Sequence, residues 1–204
     1  MTRLYLTRHG QTEWNIVHRM QGQQDSPLTE LGKKQAKWLE DRLHDVGLDV
    51  IFSSSSGRAI RTAEIIRGTR KIPVILSDNL REISLGAWEG MLHTEVERIY
   101  PEEHRNYWHF PHRYQPVAGG ETFAQLYSRV SNEVEKIISN YTGKNILIVT
   151  HATALKTLMA YFENKELKDL WTGPFMKSTC LNLVEIENGD REVVLEGDIS
   201  HYQK

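Results

Sequence analysis

Three short apolar runs, each stopped by polar or small residues, set the frame of the chain. Leu4-Tyr5-Leu6 ends in Thr7-Arg8-His9-Gly10, Val50-Ile51-Phe52 ends in Ser53-Ser54-Ser55-Ser56-Gly57, and Ile146-Leu147-Ile148-Val149 ends in Thr150-His151-Ala152. Continuous apolar runs bounded by turn residues read as buried strands, the first over residues 3–7. Elsewhere the period changes to that of a helix. Thr29 is placed to cap a helix on which Leu31, Gln35, Trp38, Leu39, Arg42 and Leu43 recur at offsets of three and four. Further helices are predicted over 57–66, over 123–141 with Leu126, Val130, Val134, Ile137 and Ile138 on one face, and over 155–162. Residues 181–186 and 193–195 read as two late strands joined by Asn188-Gly189-Asp190, a hairpin signal. The stretch 110–120, rich in Pro, Gly and His, reads as a long loop.

Apolar strands separated by helices imply an α/β fold with a mostly parallel sheet covered on both faces. Parallel strands share one carboxyl edge, so His9, His151 and the Ser-rich loop are expected to open onto the same edge. A length of 204 residues suits one domain over 1–204. Hydrophobic and charged contents of 39% and 25% suit a soluble globular protein, and a net charge of −2 argues against a general nucleic-acid or anionic-membrane binder. Any phosphate site is then a local cluster of positive charge. The one cysteine, Cys180, excludes an internal disulfide and a Cys-rich zinc site, and its apolar surroundings suggest a buried structural thiol. Arg8 and His9 interrupt the first apolar run, so no secretory signal is read there, and no run is long enough for a membrane span. The expectation is a cytoplasmic protein.

The chemistry concentrates where the first strand ends. Arg8-His9-Gly10-Gln11-Thr12-Glu13-Trp14-Asn15 brings a guanidinium, an imidazole and a carboxamide to a strand end, which is where open α/β sheets bind ligands. Arg58 falls in the first turn of its helix. Free amides at a helix N-terminus favour an anion, and a guanidinium can grip two phosphoryl oxygens in a planar fork. The Arg-His-Gly-x-Thr-x-x-Asn segment resembles the signature of the histidine phosphatase superfamily, whose best-known members are the cofactor-dependent phosphoglycerate mutases. Ser54-Ser55-Ser56-Gly57-Arg58-Ala59-Ile60-Arg61-Thr62-Ala63 matches that family's Ser-x-x-x-Arg-Ala-x-x-Thr-Ala, and Leu80-Arg81-Glu82-Ile83-Ser84-Leu85-Gly86-Ala87-Trp88-Glu89-Gly90 matches its Leu-x-Glu-x-x-x-Gly-x-x-Glu-Gly.

The resemblance implies a three-layer α/β/α, phosphoglycerate mutase-like fold with His9 as covalent nucleophile toward phosphorus. It implies Glu82 as proton donor, Arg8, Arg58 and His151 as catalytic partners, and Arg8, Asn15, Gln21, Gly22, Arg58 and His151 around the phosphate. The Gly10 carbonyl would hold the other ring N–H of His9. Arg61 is a weaker candidate for the phosphate, and Glu89 reads as structural. No metal and no cofactor are expected, because His104, His109, His112 and His93 lack further ligands at metal spacing. Tyr107, Trp108, Phe110 and Tyr114 are expected in an irregular segment over the sheet edge, either as core or as an apolar wall for a leaving group. The function so implied is hydrolysis of a small-molecule phosphate monoester. One alternative is a phosphoglycerate mutase, disfavoured because Glu82-Ile83-Ser84-Leu85-Gly86 lacks the Arg and Tyr common after the acid in family mutases. The others are a pathway-specific enzyme such as an α-ribazole phosphatase, and a catalytically dead binding module.

Overall fold

The computed structural model of the chain describes residues 1–203. Six strands, β1 (Thr2–Arg8), β2 (Val50–Ser54), β3 (Val74–Ser77), β4 (Asn145–Thr150), β5 (Leu181–Glu187) and β6 (Asp190–Asp198), form one sheet in the order β3-β2-β4-β1-β5-β6. The pairs β3/β2, β2/β4 and β4/β1 are parallel, and β1/β5 and β5/β6 are antiparallel. Alternation along the strands builds two cores. Ile146 and Ile148 face one with Leu4, Leu6, Val50 and Phe52, while Leu147 and Val149 face the other with Ile51. The helices that follow β1 are α1 (Glu13–Ile16) and α2 (Glu30–Arg42), and α3 (Gly57–Arg67) follows β2. Ala36, Leu39 and Leu43 of the α2 region and Ala59, Ala63 and Ile66 of α3 cover the second face. The first face carries α6 (Phe123–Asn140) and α7 (Ala152–Phe162) through Leu126, Val130, Leu155 and Leu158. The result is the expected three-layer α/β/α arrangement. Truncating a fully buried side chain such as Leu126 to Ala would cost about 2–5 kcal/mol.

Local signals explain the boundaries. The Thr29 hydroxyl accepts from the Gly32 amide at 2.9 Å and starts α2. Thr122 and Gln125 form a capping box at α6. At the β5/β6 hairpin Asn188 and Gly189 both take positive φ, 53° and 93°, as a two-residue hairpin turn requires.

Several expectations are corrected. The buried face of α2 is Gly32, Gln35, Ala36 and Leu39. Leu31 is 43% exposed, and Trp38 leans on Tyr202 at 5.7 Å. The short strand β3 was not foreseen, because it lies at the sheet edge and its four residues are only partly covered. β6 runs well beyond 193–195, because its charged, outward residues hide the alternation. The aromatic segment is not irregular at its start. After α4 (His93–Ile99), Tyr107 and Trp108 lie on α5 (Pro101–His109), opened by a proline at its first position. Phe110 to Gly120 holds one 3₁₀ turn, Pro111–Arg113, and is otherwise irregular. Cys180 is buried, and burial pushes its thiol up to about 11.

The chain leaving β1 goes to α2 on one face, and the chain leaving β4 enters α7 on the other. The two strands are neighbours, so a crevice opens between their carboxyl ends. Among the described residues no helix is long and apolar enough to cross a membrane.

Candidate active site

The register pairs Arg8 with Thr150, so His9 and His151 are the next residues on adjacent strands. Their rings meet edge to face with centroids 5.2 Å apart. His9 Nδ1 lies 2.7 Å from the carbonyl oxygen of Gly10. A carbonyl only accepts, so the ring proton sits on Nδ1 and Nε2 keeps its lone pair. Arg58 Nε donates to that lone pair at 3.2 Å. Gly10 in turn donates its amide to Thr62 Oγ1 at 3.0 Å. A Cβ at Gly10 would stand 2.4 Å from the Gly32 carbonyl oxygen, so only glycine fits this approach. Burial, and then the charges of Arg58 and Arg8, hold the His9 imidazole well below the usual histidine range, partly offset by the bond to Gly10. His9 is therefore a neutral base at neutral pH.

His151 is fully buried beside His9 and is not part of the cavity wall. Its Nε2 lies 2.8 Å from Ser54 Oγ, a pair in which either atom can donate, and Ser54 Oγ accepts from the Ser56 amide at 3.3 Å. His151 Nδ1 has no protein partner. Burial, then Arg58 and His9, push this imidazole well below the usual range as well.

The free fork expected of Arg58 is not what the side chain presents. Buried at the start of α3, it must satisfy its own N–H groups. Nη1 donates to Gln24 O at 2.6 Å and to Asp25 Oδ1 at 2.9 Å, and Nη2 donates to Gly22 O at 2.8 Å. Nε faces His9. Arg8 keeps more freedom: Nη1 donates to Met176 O at 3.0 Å, while its buried Nε has no protein partner. Arg61 points away and pairs with Glu64 at 3.1 Å.

Thr12 and Asn15 cap α1 reciprocally. Asn15 Oδ1 accepts from the Thr12 amide and hydroxyl, each at 3.0 Å, which leaves Nδ2 as its donor at the cavity. Gln21 Nε2 donates to Thr12 Oγ1 at 2.9 Å, and its buried Oε1 is unpartnered. Gly22 adopts φ +52°, which favours glycine.

Glu82 caps the start of α7. Its Oε1 accepts from the amides of Ile83 and Ala154, and its Oε2 from that of Thr153, all at 3.0 Å. Glu82 is 8% exposed and lines the cavity with His9. Glu89 ties two loops together, accepting from Gln23 N at 2.9 Å and Leu85 N at 3.1 Å.

These groups line a cavity of about 680 Å³. Beyond the polar floor its wall includes Met20, Leu85, Tyr107, Trp108, Trp171 and Phe175. Trp108 meets Tyr107 edge to face at 4.9 Å and packs tilted against Trp171 at 5.1 Å. Tyr114 is instead buried in the core, and Phe110 sits outside the cavity between Arg105 and Arg113. His93 lies on the wall beside Trp108 at 6.0 Å. Among the described residues no three His, Cys, Asp or Glu side chains gather as a metal-holding group. Asp25 and Trp171 were missed from the sequence. Asp25 stands in a turn that only the tertiary fold brings to α3, and Trp171 belongs to no periodic pattern.

The model of the histidine phosphatase superfamily (branch 1) matches residues 4–199. The solved structure of Bacillus stearothermophilus YhfR superposes with a TM-score of 0.96 at 47% identity, covering 98% of this chain and 99% of that one. Phosphoserine phosphatase 1 of Hydrogenobacter thermophilus is 37% identical over 84% of this chain and 81% of its own length. Phosphoglycerate mutase-like protein 4 of Arabidopsis thaliana is 28% identical over 98% of this chain and 87% of its own. A strand-end histidine whose Nε2 lone pair faces the Arg58 guanidinium, in a chain matched over nearly its full length, leads to one conclusion: the protein belongs to the histidine phosphatase superfamily and is an enzyme of phosphate-ester chemistry.

Proposed function

We propose that the protein hydrolyses phosphate monoesters through a phosphohistidine at His9 and needs no metal ion. The observation that most favours this is the His9 ring, with its proton pinned on Nδ1 by Gly10 and its Nε2 lone pair beside Arg58. Nε2 attacks phosphorus, the ester P–O bond breaks, and the leaving oxygen takes its electron pair and a proton from Glu82. The Glu82 carboxylate then takes a proton from water. The water oxygen bonds phosphorus as the P–N bond breaks, its electron pair returns to Nε2, and inorganic phosphate leaves. Charge on the transferred group is met by Arg8, by Arg58, by the Nδ2 amide of Asn15 and by His151, whose Nδ1 has no protein partner and donates in the tautomer in which Nε2 accepts from Ser54. Gln21 and Gly22 shape the floor around it. Positioned donors of this kind do most of the work in phosphoryl transfer and fill the role a cation otherwise takes.

Hydrolysis is favoured over mutation by the wall. Tyr107, Trp108 and Trp171 offer apolar area to an aromatic or bulky leaving group and little to a small carboxylated one. Rates of phosphate release from aryl, bulky alkyl and 3-phosphoglycerate substrates test the reading, with and without EDTA. Higher kcat/KM for the aryl and bulky esters, undiminished by EDTA and with no need for 2,3-bisphosphoglycerate, is expected. Bisphosphate-primed interconversion of 3- and 2-phosphoglycerate with little phosphate released would make the protein a mutase.

A further inference from the structure

Glu82 sits on a stretch of chain with no sheet partner. After β3 comes a single 3₁₀ turn, Asp78–Leu80, and then extended, unpaired backbone. The carbonyls of such a stretch need donors from elsewhere. Arg129, on α6, supplies them. Its Nη1 donates to Asn79 O at 2.9 Å and Arg81 O at 3.0 Å, and its Nη2 to Glu82 O at 3.3 Å. The remaining N–H groups bind the Glu121 carboxylate, Nε to Oε1 at 2.8 Å and Nη2 to Oε2 at 2.7 Å. All five guanidinium N–H donors are thereby committed. Glu121 Oε2 also accepts from the Ser84 amide at 3.3 Å, so the ion pair grips the chain on both sides of Glu82. The two side chains are only 19% and 14% exposed, and neither lines the cavity.

We propose that the Arg129–Glu121 pair is a positioning device for the Glu82 carboxyl, holding the backbone of residues 79–84 so that this group meets the leaving oxygen. The inference rests on the reading of Glu82 as proton donor. Only a planar fork reaches three carbonyls and a carboxylate at once, so lysine cannot replace Arg129. Small displacements of a catalytic group carry large rate costs, and here the cost falls on one step alone.

The test compares Arg129→Lys with Glu82→Gln across monoesters whose leaving groups run from p-nitrophenol to simple alkyl alcohols. A p-nitrophenolate departs without a proton, and an alkoxide does not. Arg129→Lys is expected to lower kcat/KM for alkyl phosphates by about 10–100-fold, a part of the roughly 10²–10⁴-fold worth of a general acid, and to change p-nitrophenyl phosphate by less than about threefold. Its dependence on the leaving group should run parallel to that of Glu82→Gln. A purely structural role would lower the melting temperature or reduce all substrates alike. Uniform loss, or full activity on alkyl phosphates, overturns the inference. A trend in Glu82→Gln without one in Arg129→Lys sinks only the positioning device, whereas no trend in Glu82→Gln sinks the proton-donor reading itself. If Arg129→Lys does not fold, Glu121→Gln, which keeps the shape of the carboxylate, carries the same comparison. Loss confined to poor leaving groups supports the device, and uniform loss or none overturns it.

Discussion

The nucleophile is made by its neighbours. A buried imidazole between two guanidiniums stays neutral, and the carbonyl of Gly10 decides which nitrogen carries the proton. Because burial and the arginines depress its basicity, His9 remains unprotonated well into mildly acid solution. The profile of kcat/KM against pH, corrected for ionisation of the substrate, should therefore hold through the ordinary histidine value of 6.5 and fall only below it. A loss centred on that value would mean a solvated, unperturbed histidine. Much of this was legible in the chain. Arg8, His9, Arg58 and Glu82 stand at fixed places relative to strand ends and a helix start. What could not be read is how their own hydrogen bonds are satisfied. Arg58 spends its fork on Gln24, Asp25 and Gly22 because it is buried, and burial is a property of the folded molecule.

At the level of elements, strong periodicity was easy to read and edges were not. α6 keeps an apolar stripe along its length, and the β5/β6 turn carries its own conformational signal. β3 and most of β6 are half covered, so their residues need not alternate cleanly. α5 escaped notice because its nine residues mix histidines, acids and aromatics, and its packing against Trp171 supplies what its own pattern lacks. That helix puts Trp108 on the cavity wall. Removing about 55 Å² of apolar contact to a substrate, at about 25 cal/mol per Å², costs about 1.4 kcal/mol, or tenfold. Trp108→Ala should thus lower kcat/KM for aryl phosphates about tenfold more than for small alkyl phosphates. Steady-state kinetics on the folded variant check this, and equal losses would place Trp108 in the core alone.

For the whole molecule, two buried neutral histidines link folding to pH. The folded values of His9 and His151 lie well below 6.5, the value of an unperturbed histidine. Below 6.5 the unfolded chain therefore binds protons that the folded one refuses, and stability falls as pH drops from that value toward the depressed folded values. The slope reaches at most about 1.4 kcal/mol per pH unit for each histidine. Urea midpoints followed from pH 7.5 down to 5.5 should fall for the wild type and fall less steeply for His151→Gln; identical slopes would mean that His151 is not held neutral by the fold. The central claim concerns the reaction itself. Enzyme mixed with a ³²P-labelled monoester and quenched during turnover should carry a phosphate that survives alkali, is lost in acid, maps to the peptide containing His9, and is missing from His9→Ala. Turnover without label on His9, together with an active His9→Ala enzyme, would contradict the account.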